Sequence, residues 1–436
     1  MSTRPNVLYL HCHDTGRCIG PYGYPVATPN LQRLAEQGVT MRQAFCANPT
    51  CSPSRAALLT GRYPHANGMT GLAHRGFALN DPREHLAYQL GERGGYHAAL
   101  CGTQHVIAHG REGEVGYHTV IDPQPNPQRP DDHYAPVARG ASQWLRAAPS
   151  EPFFLDVGFP KPHLYKGPAK DARWVSPPPG LPDTEATRAH AAVTHAGIEA
   201  LDRAVGEVLA ALEEAGLAER TLIVCTTDHG LAFPERKCNL TDGGLGVFSI
   251  WRGPGGCTGG KLIDGLVSHI DFYPTICELV GIEPPEGLHG VSLLPLIRGE
   301  RDAVRDAIFG QINYHAAYQP ERCVRTQRWK YIRRFNHRTR RVLPNCDESP
   351  SKSYLLEHGW GEQVIAEEEL FDLVLDPGER RNLVAEPAHR EVLADMRRRL
   401  EEWMGRMNDP VRAGLIEPPP GARINDPDTR SPQSWA

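Results

Sequence analysis

The chain has 436 residues, of which 23% are charged and 40% are hydrophobic, and its formal net charge is -5. This length is enough for two or three domains of the usual size of about 150 residues. The slightly acidic balance does not favour nucleic acid or an anionic membrane surface as the principal partner, and we expect neither. No stretch of about 18 apolar residues occurs, so the sequence excludes a membrane span.

The start of the chain and its cysteines bear on the cellular compartment. An apolar run begins at Val7. It is not preceded by the charged segment and the long apolar segment that make up a secretory signal. The 11 cysteines show no C-x-x-C spacing, which disfavours structural zinc, and they fit reduced intracellular thiols better than disulfides. We therefore expect a cytoplasmic protein.

Predicted strands alternate with predicted helices along most of the chain. Apolar runs predict strands at residues 6–10, 97–100, 153–159 and 221–226. Apolar periodicity predicts helices at residues 30–37, 54–60, 85–93, 133–147, 187–215 and 390–407. This alternation is typical of an α/β fold in which helices sandwich a large, mostly parallel sheet.

The composition changes near residue 320, where arginine and lysine become frequent. We predict a catalytic domain at residues 1–320 and a smaller α+β subdomain at 321–407. Residues 408–436 are rich in proline and charge, which is typical of disorder. We nevertheless expect this tail to dock on the chain's own body or on a second subunit, as in a homo-oligomer.

Polar side chains cluster after the predicted strands. In an open α/β sheet, ligands bind at the carboxyl ends of the strands, so these positions are candidates for a site. They are His11, His13 and Asp14 after the first strand, Thr103, Gln104 and His105 after the second, Lys161 and His163 after the third, and Asp228 and His229 after the fourth.

The segment Cys51-Ser52-Pro53-Ser54-Arg55 precedes an apolar helical run. Pro53 suits the first turn of a helix and Ser52 suits its N-cap, so Cys51 is predicted to lie beside a helix N-terminus. The free N–H groups of that terminus attract an anion. Arg55, one turn later, can direct its guanidinium to the same place.

This segment, with Ala56-Ala57-Leu58-Leu59-Thr60-Gly61-Arg62 after it, resembles the sulfatase signature C-x-P-S-R followed by A-x-L-L-T-G-R. The resemblance implies an alkaline-phosphatase-like fold and a sulfated small molecule or saccharide as substrate. It also implies that a formylglycine-generating enzyme converts Cys51 to formylglycine, and that a divalent metal ion lies beside it. The hydrated aldehyde would be the nucleophile.

Further segments resemble the same family in the expected order. Thr226-Thr227-Asp228-His229-Gly230 is similar to its metal-binding motif, and the segment from Arg236 to Gly244 is similar to its K-x-x-L-y-e-G-G block. The segment from Glu369 to Leu383 resembles its closing block. Residues 60–72 are similar to the corresponding segment of sulfamidases, which cleave N-sulfoglucosamine.

The resemblance places the metal ligands at His13, Asp14, Asp228 and His229. His13 departs from the family, in which an aspartate stands at this position. Calcium is the usual ion of the family, but two imidazoles shift the preference toward manganese or zinc.

The resemblance also implies catalytic roles for Arg55, His105, His163 and Lys237, with His163 or Lys237 as the proton donor to the leaving group. Thr103 departs from the family, which has lysine there. Loss of that cation offsets the carboxylate lost at His13, and His105 with Gln104 would then activate the nucleophile.

Two other functions are compatible with these residues. One is a phosphonate monoester or phosphodiester hydrolase that uses the same formylglycine, since sulfuryl and phosphoryl groups have similar shapes. The other is a binding protein that has lost activity through the changes at His13 and Thr103. Assays on an aryl sulfate and on a phosphonate monoester separate these functions.

Overall fold

The computed structural model describes residues 4–125, 133–160, 162 and 165–432. The strands are β1 Asn6–Cys12, β2 Val39–Met41, β3 Ala44–Phe45, β4 His97–Gly102, β5 Thr119–Ile121, β6 Phe153–Gly158, β7 Thr221–Thr227, β8 Ser249–Arg252, β9 Lys261–Ile263, β10 Val267–Ser268, β11 Ala307–Tyr314, β12 Tyr318–Thr326, β13 Trp329–Arg334 and β14 Glu368–Asp372. The helices are α1 Pro29–Gln37, α2 Cys51–Thr60, α3 Pro64–Asn67, α4 Leu86–Gly94, α5 Tyr134–Arg146, α6 Glu185–Glu214, α7 Asp242–Leu245, α8 Phe272–Leu279, α9 Leu294–Ile297, α10 Pro350–Glu357 and α11 Arg390–Arg406.

Eight strands form the main sheet in the order β5-β4-β6-β1-β7-β8-β2-β9. Strand β1 lies in the middle and pairs in parallel with β6 and β7, whereas β8 runs antiparallel to both of its neighbours. All seven residues of β1 and of β7 are buried, as expected for strands covered on both faces. The predicted α/β class with a large, mostly parallel sheet is confirmed.

Two apolar cores lie on the two faces of this sheet. Alternate residues of β1 enter different cores, with Val7 in one and Leu8 in the other, because successive side chains of a strand point to opposite faces. The long helix α6 packs into the second core through a stripe that includes Ile198, Leu201 and Val205. Hydrophobic burial on both faces therefore fixes β1 and β7 and the loops that follow them.

A second, antiparallel sheet has the order β11-β12-β13-β14. Helix α11 packs on it through Trp403, whose ring stacks on Phe309 at a centroid distance of 4.9 Å. This sheet begins at Ala307, ahead of the predicted division of the chain at residues 320 and 321, and that division stays a prediction. No helix in the described part of the chain has the length and apolar character of a membrane span.

The end of the described chain lies against the body through backbone contacts. The amide of Arg423 donates to the carbonyl of Arg75 at 2.9 Å, and the amide of Asn425 donates to the carbonyl of Ala316 at 2.9 Å. Farther along, the carbonyl of Arg430 accepts a hydrogen bond from the Lys352 ammonium at 2.9 Å. These contacts join the tail to three separate segments of the body.

Candidate active site

The ends of β1 and β7 bring four predicted metal ligands together. The register pairs Cys12 with Thr227, so the dipeptides that follow the two strands lie side by side. The amide of Asp14 donates to Oδ1 of Asp228 at 2.9 Å, and Nδ1 of His13 lies 3.1 Å from Oδ2 of the same carboxylate. Both aspartates are almost fully buried. The positive φ of 50° at Asp14 is the sharp turn that directs the chain away from the strand end.

Cys51 faces this cluster from the first turn of α2. The N-cap is Thr50, so the expected cap at Ser52 was wrong, because the helix starts earlier and the hydroxyl of Ser52 instead accepts from the amide of Ala73 at 3.1 Å. Cys51 has no exposed surface, and its Sγ lies 3.4 Å from Nε2 of His229. The thiol is therefore held at a helix N-terminus beside the clustered carboxylates.

His229 presents one defined nitrogen to the cluster. Its Nδ1 lies 2.9 Å from the carbonyl of Gly230 and donates to it, which leaves Nε2 facing Oδ1 of Asp14 at 3.2 Å and Oδ2 of Asp228 at 3.6 Å. Burial lowers the pKa of His229, but Asp228, Cys51 and Asp14 outweigh it and raise that pKa to about 9. The site thus strongly favours a positive charge at this position.

Arg55 lies beneath the cluster and not at its open side. Its Nη2 donates to the carbonyl of Cys12 at 3.0 Å and to Oδ2 of Asp228 at 3.2 Å, and its Nη1 contacts Nδ1 of His11. Because Arg55 can only donate, Nδ1 of His11 must accept, and Nε2 of His11 then donates to Oδ1 of Asp156 at 2.7 Å. This buried network fixes the orientation of Asp228.

Lys237 is the cation on the other side of the cluster. Its Nζ lies 3.5 Å from Oδ2 of Asp14 and 2.8 Å from Oδ2 of Asp347. Burial lowers the pKa of Lys237, but the two carboxylates outweigh it and hold that pKa well above its usual range. Lys237 is therefore a permanent positive charge inside the buried cluster.

His105 lies at the edge of the cluster in a tight turn with φ of 61°. Its ring is 5.5 Å from that of His13, and its Nε2 is 3.1 Å from Nδ1 of His74. Gln104 does not join it at the nucleophile. The Gln104 amide group donates to the carbonyl of Ile107 at 2.7 Å and accepts from that residue's amide at 2.9 Å, so it holds the loop. Thr103 is exposed.

The structure brings together eight of the nine predicted site residues, and their roles stay predictions. His163 lies outside the described residues, as does Lys161. Sequence reasoning missed Asp156 and Asp347. Asp156 could have been found, because it is a carboxylate inside the otherwise apolar strand Phe153–Gly158. No sequence signal marks Asp347.

The donor set fits a divalent cation. Ligand atoms of His13, Asp14, Cys51 and Asp228 all lie within 4.8 Å of one another, and all four residues are buried. Carboxylate oxygens and imidazole nitrogens suit manganese or zinc as well as harder ions. Hydrogen bonds behind the cluster orient the groups, as the contact of Arg55 with Asp228 shows, which is typical of metal ligands in proteins.

Comparison with known proteins identifies the class to which this fold and site belong. The family described as "Sulfatase" matches residues 5–282, which is more than half of the chain. The chain therefore belongs to the sulfatase family and is a hydrolase of sulfuric ester or S–N bonds. Residues 244–354 match a second description, "N-sulphoglucosamine sulphohydrolase, C-terminal". The resemblance seen in the sequence is confirmed.

Individual relatives support this assignment. The chain is 28% identical to N-sulphoglucosamine sulphohydrolase of Homo sapiens, over 93% of this chain and 91% of that protein. It is 26% identical to Delta 4,5-hexuronate-2-O-sulfatase of Bacteroides thetaiotaomicron, over 97% and 94% of the two chains. The solved structure of a 2-O GAG sulfatase shares the fold with a TM-score of 0.74 and 23% identity, and the match covers 99% of this chain and 98% of that chain.

Proposed function

We propose that this chain removes a sulfo group from a saccharide through a formylglycine made from Cys51. The observation that carries the proposal is the position of Cys51, buried at the start of α2 with its Sγ 3.4 Å from His229 and next to two carboxylates. A structural cysteine needs no such neighbours. The C-x-P-S-R string, which is a family signature, supports the same conclusion.

The reaction is then a two-step displacement. One hydroxyl of the hydrated aldehyde at position 51 attacks sulfur, and the bond from sulfur to the saccharide oxygen or nitrogen breaks as that atom takes a proton. Deprotonation of the second hydroxyl then expels sulfate and restores the aldehyde, to which water adds again. The covalent intermediate divides one difficult step into two.

The residues around Cys51 have distinct parts in this scheme. Lys237 neutralises an oxygen of the sulfo group, and such fixed charges are usually the largest contribution to transition-state stabilisation. His105 reaches the nucleophile from the other side. Lys237 and His163 are the two candidates for protonating the leaving atom. Arg55 positions Asp228 from below.

His13, Asp14, Asp228 and His229 would hold the divalent metal ion. When bound, the ion supplies positive charge at the nucleophile and at the sulfo group. The carboxylate of Asp228 is held by hydrogen bonds from the amide of Asp14 and from Arg55. The two imidazoles lead us to propose manganese or zinc as the preferred ion.

A sulfated saccharide is the proposed substrate, because the relatives named above include an N-sulphoglucosamine sulphohydrolase and a hexuronate-2-O-sulfatase. The second candidate is a phosphonate monoester. The changes at His13 and Thr103 favour it, and the Agrobacterium radiobacter phosphonate monoester hydrolase shares the fold with a TM-score of 0.69 at 21% identity. Side-by-side assays on N-sulfoglucosamine, an aryl sulfate and a phenyl phosphonate rank the candidates.

Peptide mass spectrometry of the segment around Cys51 tests the nucleophile. Protein produced with a formylglycine-generating enzyme should carry an aldehyde in place of the thiol at this position, react with a hydrazide and turn over substrate. Cys51→Ala should abolish turnover. Cys277→Ala, which changes a buried cysteine of α8, is the matched control and should remain active. Full activity in protein whose Cys51 is wholly unmodified would disprove the mechanism.

A further inference from the structure

Asp347 is a carboxylate at the site whose presence the sulfatase reaction by itself does not explain. Its Oδ2 lies 2.8 Å from Nζ of Lys237, which in turn lies 3.5 Å from Oδ2 of Asp14. The side chain of Asp347 is 27% exposed, whereas those of Lys237 and Asp14 are 2% and 0% exposed. Of these three linked charges, Asp347 is the most exposed.

The loop that carries Asp347 is held firmly by Asn345. The Oδ1 of Asn345 accepts from the amides of Ala316 and Ala317 at 2.9 and 2.8 Å, and its Nδ2 donates to the carbonyl of Ala317 at 3.1 Å. Asn345 is 3% exposed. These bonds attach the loop to the turn between β11 and β12, so the antiparallel sheet determines where Asp347 lies.

Lys352 holds the same loop from the other side. Its ammonium donates to the carbonyls of Leu343 and Cys346 at 3.0 and 2.9 Å and to that of Arg430, in the tail, at 2.9 Å. The ammonium also donates to Oε1 of Glu348 at 2.6 Å, so each of its three donors has an acceptor. Asp347 is thus preorganised, and preorganisation lowers the cost of binding a ligand.

The chemistry of Asp347 indicates what it binds. A sulfo group against Lys237 would place the neighbouring ring carbon of the saccharide, and the substituent on that carbon, toward Asp347. A carboxylate accepts hydrogen bonds at about four lone-pair sites. It attracts a hydroxyl or an ammonium group and repels a second sulfate or a carboxylate.

We propose that Asp347 determines specificity by accepting a hydrogen bond from a hydroxyl or ammonium group on the carbon next to the sulfated position, and by rejecting an anionic group there. This assignment rests on the proposed saccharide sulfatase activity. The substrate class is therefore a saccharide in which the sulfo group has a hydrogen-bond donor as its neighbour.

Asp347→Asn tests the assignment, and Glu348→Gln is the matched control. Glu348 is next in the chain, but its carboxylate contacts Lys352 and Ser431. The probes are 4-nitrophenyl sulfate and a panel of O-sulfo and N-sulfo glucosides, each with its neighbouring hydroxyl free or methylated. Melting temperatures establish that both variants are folded.

Wild-type enzyme should prefer the free hydroxyl over the methyl ether by about tenfold or more in kcat/KM, mainly through KM, since a site built around a hydrogen bond rejects analogues that lack it. Asp347→Asn should lower kcat/KM severalfold on 4-nitrophenyl sulfate, because Lys237 loses its partner. It should lower kcat/KM about tenfold more on the free-hydroxyl glycosides, and the preference over the methyl ethers should disappear. Glu348→Gln should keep the wild-type preference.

Four results would overturn the assignment. Asp347→Asn could retain the full preference, or it could lower activity equally on 4-nitrophenyl sulfate and on the glycosides, which would mean that it acts only through Lys237. Wild-type enzyme could hydrolyse 4-nitrophenyl sulfate but no glycoside, which would leave the sulfatase chemistry standing. If wild-type enzyme with converted Cys51 hydrolysed no sulfate at all, the proposed function would fall and the assignment with it.

Discussion

Replacement of Arg55 should destabilise the protein through Asp228. Arg55→Met removes the guanidinium that lies 3.2 Å from Oδ2 of Asp228, and both side chains are at most 2% exposed. Breaking a buried ion pair by removing one partner costs about 3–5 kcal/mol. We expect about 3 kcal/mol, at the low end, because His13 still faces the same oxygen at 3.1 Å.

The effect on the melting temperature follows from the size of the chain. Unfolding entropy is about 2.1 cal/mol/K per residue, so in a chain of 436 residues each kcal/mol corresponds to about 1 °C. Arg55→Met should therefore melt about 3 °C below wild type. Arg55→Lys keeps the charge but cannot contact both acceptors at once, so a smaller decrease is expected.

Differential scanning calorimetry measures this decrease in melting temperature. The protein is treated with a chelator first, because a bound cation would compensate part of the lost stability. Arg83→Met is the control, since its ion pair with Asp81 is exposed and such pairs contribute little. Its melting temperature should stay within about 1 °C of wild type. If Arg55→Met melts within the same interval, Arg55 does not support Asp228, and the network beneath the site does not contribute to the stability of the fold.

Three further predictions concern pH, metal and leaving group. Burial lowers the pKa of His85 from 6.5 to about 4, so the unfolded chain binds a proton that the folded chain refuses, and stability falls as pH falls through that window. The pKa difference corresponds to about 3 kcal/mol of folding stability. His85→Asn can still cap α4, and its melting temperature should depend less steeply on pH between pH 7 and 4.5. An unchanged slope would contradict the prediction. Chelation should abolish turnover, manganese or zinc should restore more of it than calcium, and His13→Asp should shift the preference to calcium. Maximal wild-type activity with calcium would contradict the expected metal preference. Alanine at 163 or 237, whichever residue is the general acid, should slow poor leaving groups far more than an activated aryl sulfate, and equal losses on both would indicate sulfate binding alone.

The sequence by itself predicted the α/β class, the central strands and the cluster of His13, Asp14, Asp228 and His229 near Cys51. These features are local. A buried strand is a contiguous apolar run, a family signature is a contiguous string, and the carboxyl ends of parallel strands meet at one edge of a sheet. Knowledge of local patterns was therefore enough to place these residues together.

Only the tertiary structure showed what Arg55, Gln104 and Asp347 contact. Arg55 was expected to face the anion, but the register of β1 and β7 places the carbonyl of Cys12 and the carboxylate of Asp228 beneath it. Gln104 was expected at the nucleophile, but its own loop satisfies its amide. Asp347 lies 110 positions from Lys237 along the chain, and long-range packing of the antiparallel sheet brings them together. Long side chains have many rotamers, so their partners depend on groups that lie far away in the sequence and become neighbours only when the chain has folded.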